Sequence, residues 1–477
     1  MLFKHLWLLF NLATLVCFMT AKQPELKKVL RPVHLWALGV GLVISGEYFG
    51  WNYGWGVAGT LGFLLATLLV TVFYVTFIFS FTELTTSIPH AGGPFAYAYR
   101  ALGPLGALVA GYATLIEFIF AAPAIAFALG SYVHFFYPSV PVLITALCSY
   151  VVFTLLNALG VKESALFSVV VTTLAVLELV VYLGVVAPSF ETRNFLKNSL
   201  PYGWMGIFAA LPFAIWLYVC IEGVAMAAEE VKDSKKAIAQ GYVSAILTLM
   251  VLALAVMILT GGITDWQTLA VIDYPLPAAI GVVLGKENSL TKIFASIGLF
   301  GLVASFHGII LTYSRQLFAL ARSRYLPYYL AHVHPRFRTP HRALLVGAAF
   351  GMLALFYLDT SKLVILSTFG AVIMYIISMV SLFVLRAKEP DLARPFKAPI
   401  YPYFPGIALG LGIVAAIAFL YYYFWLCFIF FSGLILVILL FYLTGSHKKL
   451  SVISFISEDN PEQKLPVANP VIKPSEI

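Results

Sequence analysis

Long apolar runs separated by short polar or basic stretches fill the chain from about residue 33 to residue 444. Each run is about twenty residues long, which as helix crosses a ~30 Å hydrocarbon core. A membrane barrel would instead alternate apolar and polar positions over about ten residues per strand. The pattern predicts twelve helical spans, over 33–56, 59–81, 104–136, 141–159, 164–188, 203–226, 237–261, 290–322, 342–358, 362–385, 404–423 and 425–444. The eighth runs on for about 50 Å at 1.5 Å per residue, so its basic end, Arg315 to Arg324, is expected to protrude from the bilayer. The third is also long and is expected to tilt.

The organisation that follows has five parts: an N-terminal segment (1–32), a first five-helix unit (33–188), a second (203–385), two further helices (404–444) and a tail (446–477). Within the first part, the apolar stretch Leu6 to Met19 is too short to span comfortably and reads as an interfacial extension. The tail is polar, rich in Pro, Glu and Lys, and is expected to be disordered.

Composition agrees with the pattern. The chain is 61% hydrophobic and 10% charged, against about 25% charged in soluble proteins. An all-α membrane protein is the reading, because lipid tolerates only helices or closed barrels. The net charge of +8 does not point to nucleic acid here. With both termini placed in the cytoplasm, 24 of the 29 Lys and Arg fall on that side, leaving Arg193, Lys197, Lys286, Lys292 and Lys362 outside. That bias predicts a multi-pass protein of the cell membrane with both ends cytoplasmic. Cys17, Cys148, Cys220 and Cys427 lie in apolar segments without metal-ligand spacing and read as small hydrophobes.

The candidate chemistry sits at membrane depth. Ile44, Ser45, Gly46 and Glu47 lie midway through an apolar, glycine-rich run. Each glycine weakens a helix by about 1 kcal/mol relative to Ala, and an acid at bilayer depth costs roughly 2.5–3.5 kcal/mol to insert. A chain that accepts both at one point is expected to open its backbone there and hold something. Glu117, Glu178 and Glu222 are three more acids within apolar runs, and no Lys or Arg lies in the interior of the same runs. They are either protonated or await an external cation; the bland alternative is a hydrogen bond to a backbone gap or hydroxyl.

The sixth run repeats the interruption of the first, with Pro212 ahead of Tyr218, Val219, Cys220, Ile221, Glu222 and Gly223. Two broken helices five spans apart predict an inverted repeat with a binding site at the midplane between the breaks. Tyr48, Phe49, Trp51, Phe118, Trp216 and Tyr218 crowd the same neighbourhood; an aromatic ring contributes about 0.5–2 kcal/mol to holding an ammonium. His307 and Tyr375 lie in the eighth and tenth spans, where packing is the simpler role.

Three stretches carry a family resemblance: FTELTTSIPHAGGPFAYAYRALGP (81–104), FAIWLYVCIEGVAMAAEEVKDSKKAI and YSRQLFALARSRYLPYYLAHVHPRFRTP. In order and spacing they resemble the amino acid–polyamine–organocation transporters, which implies a LeuT-like core of five plus five inverted helices with the first and sixth broken. Within that superfamily VISGEYFGWNYG and ATLIEFIFAAPAIA look most like the ethanolamine permeases. The resemblance places the family's glycine-rich break on Ile44 to Glu47, its aromatic gate on Trp216 and its span-6 acid on Glu222. It makes Glu117 a pocket-lining position, with Phe118 beside it. Tyr218 and Tyr375 are candidate gating residues. The family glycine two positions before that acid is Cys220 here. Proton-coupled relatives often carry a Lys in the fifth span where this chain has Ala175, and Glu178, one turn along, is the candidate to take the proton.

The expected function is secondary active import of ethanolamine, or a similar small amine, by alternating access, driven by protons or by the membrane potential. The potential alone contributes about 2.3 kcal/mol per charge per 100 mV. Glu47 and Glu117 would pair with the amine, while Ser45, Gly46 and carbonyls near Val219 and Cys220 would take the hydroxyl and remaining hydrogens. Partners are thus a small amine, a driving ion and the bilayer, with no nucleic acid. A carrier of cationic amino acids or polyamines is the alternative, and a sensor or channel on the same scaffold a more distant one. No nucleophile–base pair, HExxH spacing or phosphate-cradling loop points to an enzyme, a metal or a cofactor.

Overall fold

The computed structural model describes residues 28–159, 165–286, 288–337, 339–448 and 450. The expectations for 1–20, for Cys17 and for the tail past residue 450 lie outside them. Within the described residues the architecture is helical, apart from one isolated bridge between Leu30 and Val231. The first region comprises α1 (Pro32–Val43), α2 (Ser45–Tyr48), α3 (Tyr53–Ser87), α4 (Pro94–Phe136), α5 (Val142–Ala158) and α6 (Ala165–Val186). Short helices α7 (Thr192–Leu196), α8 (Gly203–Ala209) and α9 (Leu211–Trp216) lead into a 3-10 helix, Ile221–Glu230, and α10 (Ser234–Gly261). Two short helices, α11 (Trp266–Leu269) and α12 (Pro275–Leu284), precede α13 (Ser289–Arg322), α14 (His341–Tyr357), α15 (Thr360–Lys388), α16 (Tyr403–Tyr422) and α17 (Phe424–Leu443).

Glycine divides two of the long helices. Gly59 (φ +72°) separates 53–58, the far half of the first predicted span, from the second. Gly103 (φ +78°) separates 94–102 from the third, which starts at Pro104, a residue suited to a first helical turn.

Among the described residues nine helices are long and apolar enough to cross a membrane, while α5 and α14 are apolar but shorter. Twelve were expected. The difference arises because the first span is cut in two, with its far half joined to α3. In addition α5 and α14, at 17 residues each, reach only ~25 Å.

α4 is the central post. It packs against α15 and α13; Gly370 lets α15 approach closely, since a Cβ there would sit 2.9 Å from the Glu117 nitrogen. α1 lies among α10, α6 and α13, so the first interruption falls in protein interior. α16 and α17 instead expose large apolar side chains, including Ile417, Phe428 and Leu439, the surface that lipid would cover.

Hydrogen bonds join segments across both ends of the interior. At the end where the basic loops gather, the Val29 and Leu30 N–H groups donate to the Glu230 carbonyl at 2.9 and 3.0 Å, and the Lys232 N–H donates to the Leu30 carbonyl at 3.0 Å. Glu229 Oε1 accepts from the Ala91 N–H at 2.8 Å, and Arg315 meets Glu230 at 3.6 Å. At the opposite end α11 and the turn after it pack on the far half of the first span.

Candidate substrate site at the two helix breaks

The first helix does not open where its sequence suggests. Ile44 keeps helical torsions (φ −57°, ψ −24°) and its N–H bonds to the Val40 carbonyl at 2.8 Å, and α2 carries the helix on through Glu47. A side chain from α13 splices the helix at this point. Ser305 Oγ accepts from the Ser45 N–H at 3.1 Å and donates to the Gly41 carbonyl at 2.6 Å. The chain opens four residues later, at extended Phe49 (φ −162°, ψ 170°) and Gly50 (φ +89°). Only glycine suits position 50: the backbone is left-handed, and a Cβ would stand 2.5 Å from Trp216 Nε1.

The carbonyls exposed by this opening are each taken by an aromatic donor. Trp51 Nε1 donates to the Glu47 carbonyl at 3.0 Å, the Tyr132 hydroxyl to Tyr48 at 3.1 Å and Trp216 Nε1 to Phe49 at 2.9 Å. Trp216 therefore stitches the second break to the first; its ring stands edge-on to Phe49 at 5.6 Å. Gly46 admits the second break from the other side, since a Cβ there would lie 2.5 Å from the Trp216 carbonyl oxygen.

The second interruption follows α9. Cys220 takes a left-handed conformation (φ 75°) despite its side chain, and 3-10 helix follows from Ile221. A non-glycine residue there costs roughly 1–2 kcal/mol, offset by the hydrogen bond its N–H donates to Glu117 Oε1 at 3.1 Å. The left-handed turn is thus made by Cys220 with Glu117 as brace. The Val219 N–H remains bonded to the Ile215 carbonyl at 3.1 Å, and Phe118 packs against Gly223.

Glu47, Glu117 and Glu222 are all fully enclosed. Neither oxygen of Glu47 receives a hydrogen bond, and its carboxyl lies within electrostatic range of Tyr48 and Tyr218. The Glu117 and Glu222 carboxyls face one another at hydrogen-bonding range. Glu117 Oε2 and Glu222 Oε1 have no protein donor, so a bond between the two needs a proton on one. Tyr375 donates to Glu222 Oε2 at 2.9 Å, and its hydroxyl lies 3.1 Å from that of Tyr74. Tyr218 shares a 2.7 Å hydrogen bond with Thr71, its ring 5.0 Å from Tyr74. Tyrosine hydroxyls and ring faces thus connect the Glu47 region to the Glu117–Glu222 pair.

Glu178 stands apart from this group. Its Oε2 accepts from the Tyr48 hydroxyl at 2.6 Å, beside a small cavity shared with Tyr132, Tyr182, Leu276, Pro277 and Ile280. His307 is bonded to Asn157 at 2.9 Å, away from the breaks. Thr71, Tyr74 and Ser305 were not singled out in the sequence; hydroxyls recurring within apolar runs were the available signal.

These features suit reversible capture of a small polar solute: two facing breaks, unsatisfied carboxyl oxygens, aromatic walls and hydrogen bonds that join segments at both ends. Comparisons with known proteins agree. Residues 30–453 match the amino acid permease family. An uncharacterized transporter of Rhizobium meliloti is 29% identical over 84% of this chain and 88% of its own length. A branched-chain amino acid permease of Bacillus subtilis is 25% identical over 84% and 92%, and a methylthioribose transporter of the same organism 25% over 82% and 88%. The chain therefore belongs to the amino acid permease family of the amino acid–polyamine–organocation superfamily, a family of membrane transporters and not of enzymes.

Proposed function

We propose that this permease carries a small primary ammonium that lacks a carboxylate, with ethanolamine the best fit, from outside to inside by alternating access. The observation that carries the reading is Glu47: a fully enclosed carboxyl with neither oxygen hydrogen-bonded. A buried charge left unpaired is strongly disfavoured, so either a proton or a cation neutralises the site, and an ammonium cargo is the cation that can take the proton's place. The amino acid and methylthioribose carriers among its relatives take other solutes; an amino acid carboxylate placed beside Glu47 would be repelled. On this reading the ammonium sits between Glu47 and the Glu117–Glu222 pair, the hydroxyl meets Ser45 and Gly46, and Trp216, Tyr218 and Tyr375 rearrange as gates. The 5+5 inverted repeat is completed by α5 and α14 as crossing helices, twelve in all, with both termini in the cytoplasm.

Two separate acidic centres also favour a second reading, a dication or cationic amino acid bridging Glu47 and the Glu117–Glu222 pair. Uptake into proteoliposomes separates the two: saturable ethanolamine uptake is expected, with competition by close amino alcohols and none by leucine. Competition by putrescine or arginine without ethanolamine transport would select the second reading. Coupling is assigned to Glu178, because its carboxyl accepts a hydrogen bond from Tyr48, the residue next to Glu47. An inward proton gradient is expected to accelerate uptake by wild type but not by Glu178→Gln, measured in the same vesicles. Equal stimulation of both would remove Glu178 from that role.

A further inference from the structure

The connection between α10 and α13, on the side the charge bias assigns to the outside, carries one exposed ion pair, Lys197–Asp265 at 2.8 Å, and over the first break it is held by hydrogen bonds of Asn52 and Asp273. Asp273 lies in the turn between α11 and α12. Its Oδ1 accepts from the Tyr53 hydroxyl at 2.5 Å. Its Oδ2 accepts from the Thr360 hydroxyl at 2.9 Å and, more weakly, from the Ser131 hydroxyl at 3.5 Å. One carboxyl group thereby joins this turn to α3, α15 and α4. Beside it Asn52, the last residue of the first break, donates through Nδ2 to the Leu269 and Ile272 carbonyls at 2.7 and 2.8 Å. Tyr53 also lines a cavity of about 640 Å³, with Val271, Asp359, Lys362, Tyr422 and Trp425.

We propose that Asp273 is the latch of the outer gate: its carboxyl group clamps the α11–α12 lid over the first break, and each outward opening moves it from three hydroxyls into water. Alternating access requires residues 53–58 to separate from this lid, and the bonds of Asp273 and Asn52 are the ones that separation breaks. A latch of hydroxyls suits repeated opening. Each neutral hydrogen bond exchanged for water changes stability by only about 1 kcal/mol, whereas a buried ion pair would resist far more strongly.

The latch has a pH dependence with a definite sign. Burial holds the Asp273 carboxyl above its usual range, with Tyr53, Thr360 and Ser131 opposing that in part and Asp359 adding to it. Asp359 is itself paired with Lys362 at 2.6 Å. In the open lid, water returns the carboxyl to its ordinary value. Protons therefore bind the shut form more tightly. External acid favours closure, and the gate is released as pH rises through the closed-form value.

Two variants test this, and only the uptake arm rests on the ammonium reading. In proteoliposomes at equal pH inside and out, so that no proton gradient drives transport, wild-type uptake is expected to fall as the pH is lowered, and Asp273→Asn to remain active with a flat profile. In the purified protein without any solute, Asp273→Ala is expected to speed amide hydrogen exchange across 266–284 at least tenfold, and Asp273→Asn much less. A pH profile unaltered by Asp273→Asn, or lid exchange unaltered by Asp273→Ala, overturns the latch. Because exchange needs no cargo, an incorrect substrate assignment leaves that arm decisive.

Discussion

Glu47→Gln is expected to lower ethanolamine uptake about 100-fold in kcat/KM, corresponding to about 3 kcal/mol. Glutamine keeps the shape of the side chain and removes only its charge. In a site fully shielded from solvent a charge-assisted bond is about twice as strong as a neutral one, and no other group is bonded to Glu47 to compensate. The fold should tolerate the change, since the wild-type carboxyl makes no hydrogen bond that the amide could lose. Initial-rate uptake by matched amounts of folded protein measures the effect. A loss smaller than about twofold would mean that Glu47 does not hold the cation.

The largest effect on stability is expected far from the breaks, at Glu83. Its Oε1 accepts from Arg386 Nε at 2.8 Å and lies 3.2 Å from Arg394 Nε, while Oε2 accepts from Arg386 Nη2 at 2.6 Å and the Ala398 N–H at 2.7 Å. The carboxylate is 3% exposed and Arg394 7%, so both charges of that pair are withdrawn from water. Glu83→Ala leaves two guanidinium groups without their counter-charge, which costs about 3–5 kcal/mol. Thermal unfolding in detergent should show a clearly lowered midpoint. Lys197→Ala should not, because the Lys197–Asp265 pair is well exposed and such pairs contribute less than about 1 kcal/mol. Equal midpoints for Glu83→Ala and wild type would contradict the account of this cluster.

Much of the helical layout was legible in the sequence. The eighth run, read as 290–322, is α13 at Ser289–Arg322, and the third begins at Pro104 as read, because apolar length and a Gly-Pro pair both act locally. The positions of the openings were not legible to the residue. Several glycines between Gly39 and Gly59 could have taken a positive φ; Gly50 does so against the Trp216 ring and Gly59 against the Ser199 backbone. Those partners are remote in sequence. Likewise the helix persists through Ile44 because Ser305, some 260 positions away, takes the free N–H of Ser45.

The acids divide along the same line. Glu47, Glu117 and Glu222 were identifiable because a carboxylate inside an apolar run has few reasons to be there. Asp273 and Glu83 lie outside such runs, where acids are ordinary, and only tertiary contacts show that Glu83 is buried and Asp273 half-buried among hydroxyls. Glu229 and Glu230 neighbour Lys232, Lys235 and Lys236 in the sequence, while in the fold Ala91 and Arg315 meet them.

A density map of the purified permease at saturating ethanolamine tests the central claim most directly. The account predicts an amine nitrogen about 2.8 Å from a Glu47 carboxylate oxygen, the separation of a charge-assisted hydrogen bond, with the Glu117–Glu222 pair on its other side. A Glu47 carboxyl bonded instead to a neighbouring helix, with the ligand elsewhere or absent, would contradict it.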